Sequence, residues 1–512
     1  MKFRVAMPVP HEVELKLMLP PNWRATLESS RSLSGEKPQR RHLITTYYDT
    51  PERLLYSAGL TLRARHDGSN YIQNVKTQSS GRGLALTRAE WEWPIDQREP
   101  VVELLYEIPQ LSKIAHRMRG NLKPQFVTDV WRKTWLIELP HKTIVEVAID
   151  DGQIKAGHIF APIAELELEL KSGRIDHLYD LAARLHASTP LRISYVSKAA
   201  RGWQLRYGQA EGPKLLRRIA IQSDARCMDV FQEIIETQLN HLVANIDPAL
   251  RGDGEGIHQM HMAVRGLRAA LCLFEPLLKH LGLTRFDSEL QRLGRVLGVA
   301  RDWDVFCAET LPVAEKKWPS QRLDRLGSAA NAQQGKAHKA MTVALLAKPF
   351  TAFVLKIAIW VAAQQWEART FRGSHMGDAI ATVAPALLDR AAHRAHKRGK
   401  NIKKLSKDEL HSLRKALDML CDDVAYLGNI YSQRAVKAYR RRCEILQALL
   451  GAANDCVETE RLTRKLIRRG PKALRNPGTA LLIGAEHRRH IALLDLGTVV
   501  KKFREADRFW RE

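Results

Sequence analysis

The chain has 512 residues, more than one hydrophobic core usually serves, so two or three domains are expected. An apolar fraction of 45% is ordinary for a globular protein that folds without special devices. The balance of 81 Lys and Arg against 56 Asp and Glu gives a formal net charge of +25, which implies a polyanionic partner: nucleic acid, polyphosphate or an anionic membrane surface.

The N-terminal MKFRVAMPVPHEVELK lacks an apolar run of signal-peptide length. The next two hundred residues read as strands. Val13, Leu15 and Leu17 alternate with Glu12, Glu14 and Lys16; Leu60 and Leu62 alternate with Thr61, Arg63 and Arg65; Leu166, Leu168 and Leu170 alternate with Glu165, Glu167, Glu169 and Lys171. Alternation at period two puts each set on its own face of a sheet. Turns are expected between these runs at Asp67-Gly68, Ser79-Ser80-Gly81 and Asp151-Gly152. A helix is expected near Ile175 to His186. What alternates with the leucines is unusual: three carboxylates in a row on one face repel unless cations sit among them.

A Gly- and Pro-containing stretch near Gln209 to Pro213 reads as a linker, and long helices follow, with apolar residues at three- and four-residue spacing. This part repeats internally. IHQMHMAVRGLRAAL from Ile257 is echoed by LHSLRKALDMLCDD from Leu410, and LGVARDWD from Leu297 by LGAANDCV from Leu450. His411 follows His258, and Asn454 follows Arg301, by the same 153 residues, as in a duplicated helical bundle. Between the copies lies a basic tract, Arg390 to Lys407, that reads as an exposed loop or helix end. The charge excess is uneven: residues 1–210 hold 30 basic and 23 acidic residues, a net of +7, and the remainder 51 and 33, a net of +18. The polyanion-facing surface is therefore expected mainly in the C-terminal part. Six scattered cysteines without a CxxC pair favour buried thiols over disulfides or zinc. The most apolar later stretch, Val354 to Ala363, is broken by Lys356 and is short of a membrane span. A soluble, cytoplasmic protein is expected.

Hydrolysis of a triphosphate needs several Lys or Arg to hold about four negative charges. It also needs carboxylates to hold one or two Mg²⁺ or Mn²⁺ ions. A closed barrel with alternating side chains can present both sets inward. The strand-like segments supply acids at Glu12, Glu14, Glu90, Glu92, Glu146, Asp150, Glu165, Glu167 and Glu169. They, and the SKAARGW segment, supply bases at Lys16, Arg63, Arg65, Lys76, Arg88, Arg132 and Lys198.

ExExK near the start, YYDTP followed by LYSAGLTLRAR, NVKT, TRAEWEW, AIDDG, AELELELKSG and SKAARGW occur in the order of the CYTH family, the triphosphate tunnel metalloenzymes, which the chain resembles from about Val5 to Tyr207. The resemblance implies an eight-stranded antiparallel tunnel with these residues inward, so that the fold class is α+β: a β-tunnel with flanking helices, then an all-α duplicated bundle. It implies metal binding by Glu12 and Glu14 together with Glu165, Glu167 and Glu169. Lys16, Arg63, Arg65, Lys76, Arg88, Arg132 and Lys198 would hold phosphates. Glu12, Glu14, Lys16, Glu90 and Asp150 form the expected catalytic set, with Glu90, Glu92 and Asp150 in supporting or water-positioning roles. A metal-oriented water would attack in line without a covalent intermediate.

The helical repeat is similar to the CHAD family, whose pattern is HxxR with further basic residues a turn apart, then LGxxRDxD. The first copy offers His258, His261, Arg265 and Arg268 along one helical face, a stripe suited to phosphate chains. The second keeps His411, Arg414 and Lys415, but Asp418, Cys421 and Asp422 stand where basic residues are common. His261 and Gly266 also replace arginines usual in the family. Acids on that face are expected to weaken anion binding and leave the second copy mainly structural. Arg301, Asp302, Asp304, Asn454 and Asp455 are expected to fix helix ends or pair with the basic helices. His258 and His411 could equally be buried hydrogen-bonding residues.

The expected domains are 1–208 for the tunnel, 209–222 for the linker and 223–512 for the helical part, with repeats at about 223–370 and 375–512. The expected function is hydrolysis of inorganic triphosphate to diphosphate and phosphate, assisted by Mg²⁺ or Mn²⁺, with a polyphosphate-binding helical domain. The expected partners are inorganic triphosphate and polyphosphate, with association with polyphosphate granules as an extension and no membrane. Another triphosphate, such as thiamine triphosphate or a nucleoside triphosphate, keeps the same fold. A non-catalytic polyphosphate binder is the alternative from a different class, against which the full acid set argues. No recognised nucleic-acid fold is present, so nucleic acid is the weaker explanation of the charge.

Overall fold

The alternation of leucine with charge becomes a closed β-barrel. The computed structural model describes residues 11–34, 37–78, 83–112, 114–278, 283–319, 323–364 and 375–511. Over the described residues the chain divides into two compact units. One is Met1–Pro213 with Ile246–Pro248 and Leu346–Ala363; the other is Lys214–Asn245, Ala249–Leu345 and Gln364–Glu512.

The strands of the first unit are β1 (His11–Met18), β2 (Gln39–Asp49), β3 (Leu60–His66), β4 (Tyr71–Thr77), β5 (Leu86–Ile95), β6 (Lys123–Leu139), β7 (Thr143–Ala156), β8 (Ile159–Ser172) and the short β9 (Arg192–Ile193). All pairs are antiparallel in the order β5-β4-β3-β2-β6-β7-β8-β1, and pairing of β1 with β5 closes an eight-stranded ring; β9 joins the end of β1. Closure removes the edges an open sheet would expose. The leucine face packs outward. Leu60, Leu62, Ala64 and Val75 are buried beneath Leu105, Ile108, Leu111, Ala115 and Met118 from the segment 102–118. The helix Ile175–Ser188 lies against β8 and buries Leu178, Leu181, Ala182 and Leu185. The charged face is thereby left to the interior.

One end of that interior is apolar. The register of β2, β6, β7 and β8 brings Tyr47, Phe126, Val130, Ile154, Ala156 and Ile163 together there, and Trp203 from the helix Lys198–Tyr207 packs onto them. Gly202 lets this helix approach, because a Cβ at that position would overlap the ring of Phe126. Trp203 also meets Tyr56 and Tyr207 with ring centroids 5.0 and 5.5 Å apart.

Two of the three expected turns can be compared with the structure. Asp67-Gly68 is a turn: Gly68 has φ of +95°, and Asp67 Oδ1 accepts from the backbone N–H groups of Ser69 and Asn70. Asp151-Gly152 is not; both residues lie inside β7. Glycine is required there because β6 crowds it, and a Cβ would run into the backbone at Asp129 and Val130. The expected turn at Ser79-Ser80-Gly81 falls outside the described residues.

The second unit is helical. Helices Cys227–Ala244 and Gly254–Phe274 pack together, and so do Ile380–Arg398 and Lys407–Leu427; corresponding helices in these pairs start 153 residues apart. Gly254–Phe274 and Lys407–Leu427 also meet each other. The third pair differs. Thr284–Val305 runs into a π-helical turn, Phe306–Thr310, whereas Gln433–Arg469 continues for 37 residues. The basic tract forms the end of Ile380–Arg398 and a short 3₁₀ turn, before Ser406 and Glu409 cap the next helix reciprocally. Helix Lys348–Ala362 belongs to the first unit, where it lies against Ile175–Ser188; His186 Nε2 is 2.9 Å from the Lys348 carbonyl. No single helix among the described residues is long and apolar enough to cross a membrane.

Candidate active site

Barrel closure turns period-two charge into a lattice of opposed ions. On one side of the interior, Arg88 donates to Glu12 at 2.6 Å and to Glu14 at 2.5 Å, and Lys76 reaches Glu12 at 2.9 Å and Glu90 at 2.8 Å. Arg63 stands 3.7 Å from Glu90, and Arg65 3.2 Å from Glu92. Asn74 ties them: its Oδ1 accepts from Arg63 Nε at 2.8 Å, and its amide donates to Glu90 and, at 2.9 Å, to Glu92.

On the other side, Arg132 makes a two-pronged bond to Asp150 at 2.7 and 2.6 Å and reaches Glu167 at 2.6 Å. Lys198 starts the Trp203 helix, whose first turn is capped by the Ser197 hydroxyl accepting from the Ala200 N–H. Its ammonium contacts Asp150 at 2.6 Å, Glu167 at 2.8 Å and Glu165. Arg201 donates to Glu165 at 2.6 Å, and Lys16 lies 3.4 Å from Glu167 and 3.6 Å from Glu165. One oxygen each of Asp150, Glu165 and Glu167 falls within 4.8 Å of the other two. Glu169 stands apart, paired with Lys171 at 2.7 Å and opposite Glu146 across the β7–β8 ladder.

The electrostatics differ from group to group. Burial pushes Glu12 up, but Lys76 and Arg88 more than offset it and hold the carboxyl well below its ordinary range. Glu14 goes the other way: burial and the neighbouring Glu167 raise it to about 7 despite Arg88 and Lys16. Asp150 and Glu167 are held low against burial, the first by Arg132 and Lys198, the second chiefly by Lys198, Lys16 and Arg132. Burial, with Arg88 and Arg63 nearby, lowers Lys76. The interior thus holds ionised carboxylates able to take a hard divalent cation and a ring of cations suited to phosphoryl oxygens.

Of the residues expected in the tunnel, Glu146 and Glu169 sit apart from the acid triplet with Lys171, and the others meet in this lattice. Asp150, given a supporting role from sequence, stands within that triplet. Two members carried no assignment: Asn74 lies two residues before Lys76 on the same strand face, and Arg201 one helical turn after Lys198. The spacing alone contained both signals.

In the helical unit, His258, His261, Arg265 and Arg268 follow one face of Gly254–Phe274. Arg265 is bound by Asp422 through two bonds of 2.9 Å, and Arg268 by Asp287 at 2.7 Å. His261 is driven down to about 4 by burial and then by Arg265, His258, Arg414 and Arg301. Burial and Arg301 also lower His258. In the second copy His411 Nδ1 meets Asn454 Oδ1 at 3.0 Å, Arg414 pairs with Asp418 at 3.2 Å, and burial with Arg268 and Arg414 lowers Lys415. Asp302 accepts from Arg461 at 2.8 Å, while Asp304 accepts from Gln334 at 2.8 Å and contacts His338 at 2.6 Å. Arg301 is 3.8 Å from Glu309 in the π-helical turn.

Comparison with known proteins agrees with this division. Residues 10–203 match the model of the CYTH domain, and residues 233–464 that of the CHAD domain. The inorganic triphosphatase of Haemophilus influenzae is 33% identical over 199 residues, which is 38% of this chain and 54% of that protein; the chain thus spans about half the length of this relative. Among solved structures, the CHAD domain from the plant Ricinus communis is 23% identical, with a TM-score of 0.49 over 59% of this chain and 99% of that one. A Hippeastrum protein, named for adenylyl cyclase and reported with a dominant triphosphatase activity, is 16% identical, with a TM-score of 0.29 over 39% of this chain and 97% of that one.

Proposed function

We propose that this chain, a CYTH domain followed by a CHAD domain, hydrolyses inorganic triphosphate to diphosphate and phosphate in its barrel and binds polyphosphate through its helical unit. The observation that carries the first part is the lattice of opposed carboxylates and Lys/Arg inside a closed barrel, a set that pure anion binding would not need. Arg63, Arg65, Lys76, Arg88, Arg132 and Lys198 hold the phosphoryl oxygens through guanidinium forks and ammonium point charges. Asp150, Glu165 and Glu167, with Glu12 and Glu14, offer carboxylate oxygens to Mg²⁺ or Mn²⁺. When bound, such a cation neutralises charge developing on the phosphoryl group and lowers the pKa of water. Lys16 steadies Glu165 and Glu167 between the two halves of the lattice. Glu90 fixes Lys76 and, through Asn74, Arg63.

In the helical unit, the convergence of His258, Arg265, Arg301 and Arg414 about His261 supports a site for a phosphate chain, with Arg268 and Lys415 beside Arg414. The test measures phosphate release from tripolyphosphate, ATP and thiamine triphosphate with Mg²⁺ or Mn²⁺ and with EDTA. Tripolyphosphate should be the best substrate, and EDTA should abolish turnover while leaving the circular-dichroism spectrum unchanged. Failure to hydrolyse any of the three would overturn the enzymatic reading. Turnover that survives EDTA would overturn the metal's part in it.

A further inference from the structure

The three carboxylate oxygens of Asp150, Glu165 and Glu167 already enclose a cation, and it belongs to the protein. Lys198 Nζ lies 2.6 Å from Asp150 Oδ2 and 2.8 Å from Glu167 Oε1, and also contacts Glu165 Oε1. Both partner acids with the most complete burial, Asp150 at 1% and Glu165 at 0% exposure, are among these three. The ammonium donates a hydrogen bond to Glu167 and is ion-paired with Asp150 and Glu165, so one positive charge faces all three acids. Arg132, Lys16 and Arg201 also contact these acids, but none meets all three: Lys16 lies 3.6 and 3.4 Å from the Glu165 and Glu167 oxygens that Lys198 meets, Arg132 holds Asp150 and Glu167, and Arg201 holds Glu165 alone.

From this geometry we infer that Lys198 is an exchangeable internal counter-ion: it fills the acid triplet in the unloaded tunnel, yields the triplet to a divalent cation, and then turns its ammonium to a phosphoryl oxygen of the substrate. The inference rests on the proposed metal-dependent reading of the tunnel. Its physical basis is the cost of leaving buried ions unpaired. Three converging buried carboxylates repel one another, and Lys198 is the cation that meets all of them, so its departure without a replacement leaves them under-compensated even beside Arg132, Lys16 and Arg201. A divalent ion entering the same oxygens cannot share them with an ammonium at 2.6 to 2.8 Å. The displaced ammonium in turn needs an anion, and the substrate supplies one. Metal affinity is thereby held down until substrate can take over Lys198, which couples the two binding events.

Arg201 completes the device. It donates to Glu165 Oε2, leaving Oε1 to face Lys198, and its helical position one turn after Lys198 keeps that carboxylate in place when the ammonium leaves. It is a positioning residue, acting through Glu165.

The test is a Mn²⁺ titration of the full chain at pH 8 without phosphate, followed by electron paramagnetic resonance, for wild type, Lys198→Met and Asp150→Asn. Lys198→Met should bind Mn²⁺ about tenfold more tightly or better, because even one charge-assisted hydrogen bond given up to the metal is worth that much. Asp150→Asn should bind it more weakly than wild type. Equal or weaker Mn²⁺ binding by Lys198→Met, with wild type binding the ion, would overturn the exchange and leave the metal reading standing. Mn²⁺ binding by wild type that is indifferent to Asp150→Asn would overturn the metal reading of the triplet, and the exchange with it. A second measurement needs no variant: acetylation of Lys198 in wild type, followed by mass spectrometry, should rise several-fold at saturating Mn²⁺. Unchanged labelling at saturation would equally overturn the exchange.

Discussion

Replacing Asp422 by Asn should make the helical unit less stable and a better polyanion binder at once. Asp422 holds Arg265 through two bonds of 2.9 Å, with side-chain exposures of 18% and 29%. Removing one partner of a fully buried pair costs about 3 to 5 kcal/mol. Here Arg265 keeps some access to water and the Asn carbonyl oxygen still accepts one bond, so the loss is that of a charge-assisted bond made neutral, about 1 to 2 kcal/mol. The guanidinium, no longer neutralised, becomes available to a phosphate chain. If one charge-assisted contact is gained, affinity should rise about tenfold. The assay is anisotropy of a labelled long-chain polyphosphate titrated with the full chain at one fixed ionic strength, since exposed charge interactions are screened by salt. Urea midpoints are measured in parallel. Adding Arg265→Ala to Asp422→Asn should erase the gain, because the coupling then has no second member. A destabilised Asp422→Asn that binds polyphosphate no tighter than wild type would show that Arg265 serves packing, not binding.

Trp203→Ala should destabilise the barrel unit by about 3 to 5 kcal/mol, the usual loss for a large buried aromatic, since only 7% of Trp203 is exposed. By opening the apolar end it should also raise the rate on tetrapolyphosphate relative to tripolyphosphate; an unchanged ratio would mean the Trp203 cluster does not limit chain length. His261 should make the helical unit acid-sensitive. Its folded pKa of about 4 lies below the unfolded 6.5, so its contribution is complete above pH 6.5 and is lost as pH falls toward 4. The shift corresponds to at most about 3 kcal/mol, and His261→Gln should flatten urea midpoints compared between pH 7 and pH 5. Finally, Mn²⁺ and tripolyphosphate should each tighten the binding of the other by the same factor in calorimetry; independent binding would contradict the proposed exchange of partners at Lys198.

The barrel was legible because one physical signal covers it. Leucines at period two must be buried on one face, and in a ring the other face has only the interior to occupy; Glu12, Glu14, Arg63, Arg65 and Glu167 follow directly. The duplicated bundle was legible from one constant offset of 153 residues. The misses come from contacts that no local pattern carries. Asp151-Gly152 looks like a turn, yet the glycine answers to β6 crowding against β7, a neighbour at long range in sequence. Asp150 joins Glu165 and Glu167 only through the β7–β8 register, which pairs it with Glu165. Helix Lys348–Ala362 packs with Ile175–Ser188, some 170 residues earlier in the chain, and no spacing rule reaches that far. Asp422, expected to weaken anion binding, stands as a specific partner of Arg265. Sequence placed it on the correct helix but gave no view of what faced it.

These long-range pairings also explain how so densely charged a barrel interior can be stable. Each cation of the lattice has an acid partner and each acid of the triplet a cation, so the interior contains few uncompensated charges. Bare triphosphate would capture the Lys and Arg side chains and strand the carboxylates; a bare divalent ion would do the reverse. Either alone leaves buried charge unpaired, which is the costly case. The complex of the two avoids both penalties, because acids exchange bases for the cation while bases exchange acids for phosphoryl oxygens. On the proposed metal-dependent reading, the number of close opposite-charge contacts would be roughly conserved, and a preference for a metal–phosphate complex over either component would arise from the protein's own ion pairs. Lys198 is where the two exchanges meet. It contacts all three acids of the triplet, and under the proposed exchange its displacement to a phosphate would link the acid set to the base set across the barrel.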